Sequence, residues 1–83
     1  MRKRNRRNLR VKRAFREAIG RKVCDLRDSK NMTTTELAKK VGISQAQISR
    51  LENGLQGFRS DTLLAIGMAL NVSPAELLKA WKG

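Results

Sequence analysis

Thr33, Gly42, Ser44 and Gly54 punctuate the middle of this chain so closely that nothing long can form between them. Thr33-Thr-Thr-Glu36 has the form of a capping box, in which a threonine hydroxyl and a glutamate carboxylate satisfy orphan amides at a helix start. Gly42 supplies the left-handed backbone that ends such a helix, Ser44 can cap the next one, and Gly54 closes it. The segment must therefore fold as two helices of about two turns each, one from about Thr34 to Val41 and one from Gln45 to Asn53. Helices this short are marginal on their own. Their apolar residues (Leu37, Ala38 and Val41, then Ile43, Ile48 and Leu51) must find partners elsewhere in the chain.

Those partners can be read from apolar spacing. Leu9, Val11, Phe15, Ala18, Ile19, Val23 and Leu26 recur at steps suited to one helical face. The helix is secure from about Phe15 to Lys30, and an earlier start is open, because the spacing permits it while like charges oppose it. A fourth helix spans about Asp61 to Leu70 and turns Leu63, Leu64, Ile66, Ala69 and Leu70 inward. Ser73-Pro-Ala-Glu76 reads as a second capping box with proline at the first helical position. Val72 and Leu77 are placed for a hydrophobic staple, and the fifth helix carries Leu77, Leu78 and Trp81. No strand pattern or internal repeat is present. The expected fold class is all-α, a compact five-helix domain over residues 14–83, preceded by a basic flexible arm over residues 1–13. Residues 1–8 hold no apolar stripe and are expected to be disordered alone.

Composition narrows the function. At 83 residues the chain is one small domain, able to bury only roughly 60% of the surface its unfolded form exposes. One cysteine and no histidine exclude a disulfide framework within the chain and Cys/His zinc spacing. No metal or cofactor is expected. An enzyme is the weakest reading on the same grounds: no histidine, no metal cluster, no phosphate-binding loop and no pocket-sized core for a reaction. Cys24, beside Val23, reads as a small core or boundary residue rather than a redox sensor. No apolar run approaches transmembrane length, and the basic start is followed by FREAIGRKVCDLRDSK rather than a signal-peptide core. The reading is a soluble cytoplasmic protein with no membrane partner.

The formal charge is +12, from 19 Lys/Arg and 7 Asp/Glu. Residues 1–13, MRKRNRRNLRVKR, hold eight basic residues and no acid. A polyanion, nucleic acid above all, is the expected partner of that segment.

The polar face of the third helix is more specific. With Ile48 and Leu51 pointing inward, Ala46, Ser49, Arg50 and Asn53 project outward and Gln45 lies at the exposed amino-terminal edge. Surplus glutamine and serine are not the best helix-forming surface, but they suit a DNA groove. Glutamine can grip adenine with two hydrogen bonds, arginine can grip guanine, and the Ala46 methyl can meet a thymine methyl. A short scaffold helix, a turn at Gly42, a small residue at Ala38 where the helices cross and a second helix held outward form a helix-turn-helix over about residues 34–53.

The text TTTELAKKVGISQAQISRLENG, followed by DTLLAIGMALNVSPAELL, resembles the phage-repressor/Cro type of helix-turn-helix, the lambda repressor-like XRE family, over roughly residues 19 to 81. The resemblance implies a five-helix fold, a homodimer on a palindromic double-stranded DNA operator, and transcriptional control. By matching position it implies that Gln45, Ala46, Ser49 and Arg50 face bases and that Thr34 and Gln47 approach phosphates. Asn53, Arg59, Arg10 and Arg13 are further phosphate candidates. It implies a salt bridge between Arg27 and Glu52, tying helix one to the recognition helix, and a dimer interface at Phe58, Leu78 and Trp81. The loop GLQGFR departs from the family in lacking the common proline and carrying only Arg59 as a charge, which weakens backbone clamping there. The basic arm lies outside the family core.

The expected function is a sequence-specific transcriptional regulator, a repressor in bacterial or phage context. With no further domain after Gly83, control falls to concentration, an antagonist or antirepressor protein, or turnover. The alternatives are an antitoxin-type protein that captures a partner and autoregulates, a restriction-modification controller, and sequence-blind polyanion binding through the arm, to RNA or a membrane surface.

Overall fold

The computed structural model describes residues 6–83, with side chains from Leu9 onward. Five helices follow one another: α1 (Arg6–Ser29), α2 (Thr34–Val41), α3 (Gln45–Glu52), α4 (Ser60–Leu70) and α5 (Pro74–Leu78). No strand occurs among the described residues.

The first helix differs from expectation. It begins at Arg6, so most of the segment expected to be a flexible arm is helical, and residue 13 is no structural boundary. The expectation of disorder for residues 1–5 falls outside the described residues. The stretch from Arg6 to Ile19 contains no glycine or proline, and arginine, lysine, leucine and alanine are all good helix formers. Like-charge pairs three or four residues apart oppose this by only a few tenths of a kcal/mol each.

Every helix contributes to one core: Ile19 and Val23 from α1, Leu37 and Ala38 from α2, Ile48 and Leu51 from α3, Ile66 and Leu70 from α4, and Leu77 from α5. Two expected placements change. Leu64, expected inward, is 51% exposed, because Leu63, Ile66 and Leu70 already define the inward side of α4. Trp81 lies beyond the end of α5 rather than on it. Its ring meets Phe15 edge to face at 5.9 Å, closing the chain's end over α1.

The capping signals act largely as the sequence indicates. Thr33 Oγ1 accepts from the Glu36 N–H at 3.1 Å, and Glu36 Oε1 accepts from the Thr33 N–H at 2.9 Å. Gly42, at φ 87°, ends α2 by donating its N–H to the Ala38 carbonyl. The Ser73 box is one-sided: Ser73 Oγ accepts from the Glu76 N–H at 3.2 Å, while the Glu76 carboxylate receives Lys79 Nζ at 3.3 Å. Asn71, at φ 60°, ends α4 in the left-handed region, a conformation asparagine tolerates better than most residues.

The position of α3 depends on close approach at Gly20. A Cβ there would lie 2.3 Å from the Leu51 carbonyl oxygen and 2.7 Å from that of Glu52. Only the missing side chain lets α1 sit directly on the last turn of α3.

Candidate nucleic-acid interface

Ser44 sets the start of α3 with a complete capping box. Its hydroxyl accepts from the Gln47 N–H at 3.1 Å, and Gln47 Oε1 accepts from the Ser44 N–H at 3.0 Å. Ile48 and Leu51, at 1% and 2% exposure, anchor the inner face. At the far end Glu52 is gripped by Arg27 through two bonds, Nε to Oε2 at 2.7 Å and Nη2 to Oε1 at 3.1 Å. Arg27 Nη1 also donates to the Met32 carbonyl at 2.7 Å. One guanidinium thus fastens α1, the α1–α2 turn and the end of α3. The side chains of the pair are only 12% and 7% exposed. The hydrogen bonds to Glu52 hold Arg27 well above the usual arginine range. Burial, and then the Glu52 charge, push the neighbouring Cys24 thiol up, so this cysteine is held away from the reactive thiolate.

With both ends fixed, the outer face of α3 is presented rigidly. Gln45, Ala46 and Arg50 are exposed, whereas Ser49 is half-buried, less outward than the helical projection indicates. Gln45 Nε2 donates to Thr34 Oγ1 at 3.2 Å, so the starts of α2 and α3 meet at the surface. The capping box engages the Gln47 amide oxygen and leaves its NH2 group as a donor. Asn53 turns back on its own helix, with Nδ2 donating to the Ser49 carbonyl at 2.8 Å. It serves the helix end as well as any outside ligand. Arg50 Nε donates to Gln56 Oε1 at 2.9 Å. Gln56 carries no sequence signal for this role, because no motif in the loop foretells which of its residues will reach Arg50.

The remaining candidates lie around this face. Arg59 is 84% exposed and 3.8 Å from the exposed Asp61, a pair of little strength at high dielectric. Arg10 and Arg13 are exposed on α1. Phe58 is half-buried and packs on the core, as does Trp81, while Leu78 remains 42% exposed. Among the described residues no helix is long and apolar enough to cross a membrane.

Comparison with known proteins places this geometry. The helix-turn-helix family profile matches residues 25–77, well over half of the chain. The chain belongs to the helix-turn-helix family, of the XRE, phage-repressor type. A helix-turn-helix relative in Bacillus subtilis (strain 168), an uncharacterized HTH-type transcriptional regulator, YozG, is 41% identical over 51 residues, 60% of this chain. That match spans 61% of the relative's length. The clp gene regulator ClgR from Corynebacterium glutamicum superposes with a TM-score of 0.77 at 33% identity, over 80% of this chain and 70% of that one. The P22 c2 repressor, solved in complex with a synthetic operator, superposes with a TM-score of 0.71 at 32% identity, over 76% of this chain and 96% of that one. These relatives are transcriptional regulators, not enzymes.

Proposed function

We propose that this helix-turn-helix protein is a sequence-specific, double-stranded DNA-binding transcriptional regulator, a cytoplasmic repressor that occupies a palindromic operator as a homodimer. The observation that carries the proposal is the outer face of α3. Gln45, Ala46 and Arg50 are exposed on a helix whose start is capped and whose end is clamped by Arg27. Such a face satisfies no packing requirement and matches major-groove chemistry. In this reading Gln45, Ala46, Ser49 and Arg50 meet base edges. Thr34, Gln47, Asn53, Arg59, Arg10 and Arg13 approach phosphates. Phe58, Leu78 and Trp81 meet the second copy, which sets the two recognition helices about one DNA turn apart, roughly 34 Å. The complex of the P22 c2 repressor with its operator supports the docking mode.

Selection from a random duplex pool at roughly 0.15 M salt, followed by gel shift with the enriched sequence, tests this directly. A palindromic winner bound by two chains is the expected result. Arg50→Ala should then weaken that complex by about 1–3 kcal/mol and relax one position of the site. Binding without enrichment of any sequence would overturn the specific reading. Promoter occupancy that left transcription unchanged would overturn repression.

A further inference from the structure

The amino-terminal turns of α1 are not explained by the needs of the core. Leu9 and Val11 are 42% and 47% exposed, and the first buried residue of the helix is Ile19. Instead the extension gathers charge. Arg10, Arg13 and Arg16, spaced by threes on one side of the helix, line a shallow concavity with Leu9 and no acidic residue. The spacing places Arg10 and Arg16 about 9 Å apart along the axis. None of the three takes part in an ion pair among the described residues.

This row is continuous with the face of α3. Arg50 reaches Gln56. The next residue, Gly57, lies against Arg16, whose Nε is 3.2 Å from where a Gly57 Cβ would stand. Arg13 and Arg10 then extend the line outward along α1. The helix pays twice for this arrangement. Its first turn holds no acidic residue to offset the positive end of the helix dipole, and the arginines of the row repel one another. A row of phosphates would relieve both.

We infer that the amino-terminal extension of α1 is a stiff helical clamp, presenting Arg10, Arg13 and Arg16 to the DNA backbone beside the site read by α3. The inference rests on the DNA-binding reading above and adds that the contact is made by a preformed helix, with Arg16 as a third member. A flexible basic tail would give the same charge without fixed positions. A rigid one contributes its phosphate contacts without the entropy of ordering a tail on binding.

Two variants of the full chain separate charge from rigidity. Arg10→Gln with Arg13→Gln removes charge and keeps helix formers. The salt slope of binding should fall by about 1.8 per bound chain, at about 0.9 for each lost phosphate contact. Ala14→Pro keeps every charge and replaces an exposed residue. It permits a helix from residue 14 onward but unlinks the turns before it. Circular dichroism should show the loss of those turns, and operator affinity should drop about fivefold or more from the ordering entropy restored.

Undiminished affinity in Ala14→Pro, beside weakened binding in the arginine double variant, would overturn the clamp in favour of a flexible polycation. Full affinity in both variants would overturn any role of the extension in DNA binding, with the α3 reading intact. Failure of the unaltered chain to bind any duplex would overturn the underlying reading, and capture by anionic phosphatidylserine vesicles instead would assign the extension to a membrane surface.

Discussion

Helices α2 and α3 are both eight residues long, and both open on a reciprocal capping box, but the boxes differ by one charge. In α2 the returning group is the Glu36 carboxylate, and in α3 it is the Gln47 amide. A carboxylate in the first turn also interacts favourably with the positive end of the helix. Hydrogen bonds from Thr33, with Lys40 and Lys39 nearby, hold Glu36 below the usual carboxylate range. Helix α3 forgoes that interaction while keeping the same geometry. An acid at position 47 would stand in the face proposed to meet phosphates and base edges, where negative charge is repelled. The comparison shows one structural device tuned to two surroundings. In α2 it adds a favourable helix-dipole interaction. In α3 it caps the helix without placing a negative charge on the surface proposed to meet DNA.

The largest test of the comparison asks whether the two helices are equally anchored. Leu37→Ala in α2 and Ile48→Ala in α3 each empty a fully buried site. Each should cost about 2–5 kcal/mol in urea unfolding. A much smaller loss for Ile48 would mean that α3 is held chiefly by its ends rather than by its core face.

Among the described residues the clamp at the end of α3 has no counterpart on α2. Glu52→Gln removes the partner of the nearly buried Arg27 and should cost about 3 kcal/mol, because a buried charge left without its counter-ion is expensive. Arg27→Met with Glu52→Leu should recover much of that loss, since an apolar pair needs no compensation. A single variant as stable as the parent would show the pair to be dispensable.

The capping boxes themselves come next. Gln47→Glu should leave α3 as stable or stabilise it by about 0.3–1 kcal/mol through the helix dipole. The same change should weaken binding to the selected duplex, an effect that grows as salt is lowered. Tighter binding by the glutamate variant would break the argument for a neutral box.

The smallest effect is a pH dependence confined to α2. Because Glu36 titrates lower in the folded chain than its ordinary 4.5, its contribution is fully present above that value and is lost as pH falls through the lowered one. Unfolding curves of the parent and Glu36→Gln should therefore approach each other in acid and separate above about pH 5. Curves that stay parallel throughout would remove the carboxylate from the account.

Particular residues show how much could be read in the chain. Thr33, Gly42 and Ser44 act through hydrogen bonds and backbone angles within four residues of themselves, and their roles in α2 and α3 follow from local chemistry. Leu37, Ile48, Ile66 and Leu77 are recognisable by helical spacing. Leu64 misleads because it lies beside inward residues of α4, and spacing alone does not fix the edge of a buried stripe. The start of α1 at Arg6 could not be settled locally, since helix propensity and charge repulsion oppose one another there. On the candidate interface, the exposure of Gln45, Ala46 and Arg50 was legible from the helical projection. The bonds from Gln45 to Thr34 and from Arg50 to Gln56 were not, because each joins groups from different elements.

Local sequence specifies an all-helical chain and where its four shorter helices start, because caps, glycines and apolar periods act over one or two turns. It also determined which face of α3 would be polar. Only the packed fold shows that α1 passes over the end of α3 at Gly20, that Trp81 closes on Phe15, and that Arg16 lies against Gly57 in the loop after α3. Those outcomes depend on how packed helices cross. Crossing is governed by the shape of the whole buried surface, and no local stretch of sequence contains it.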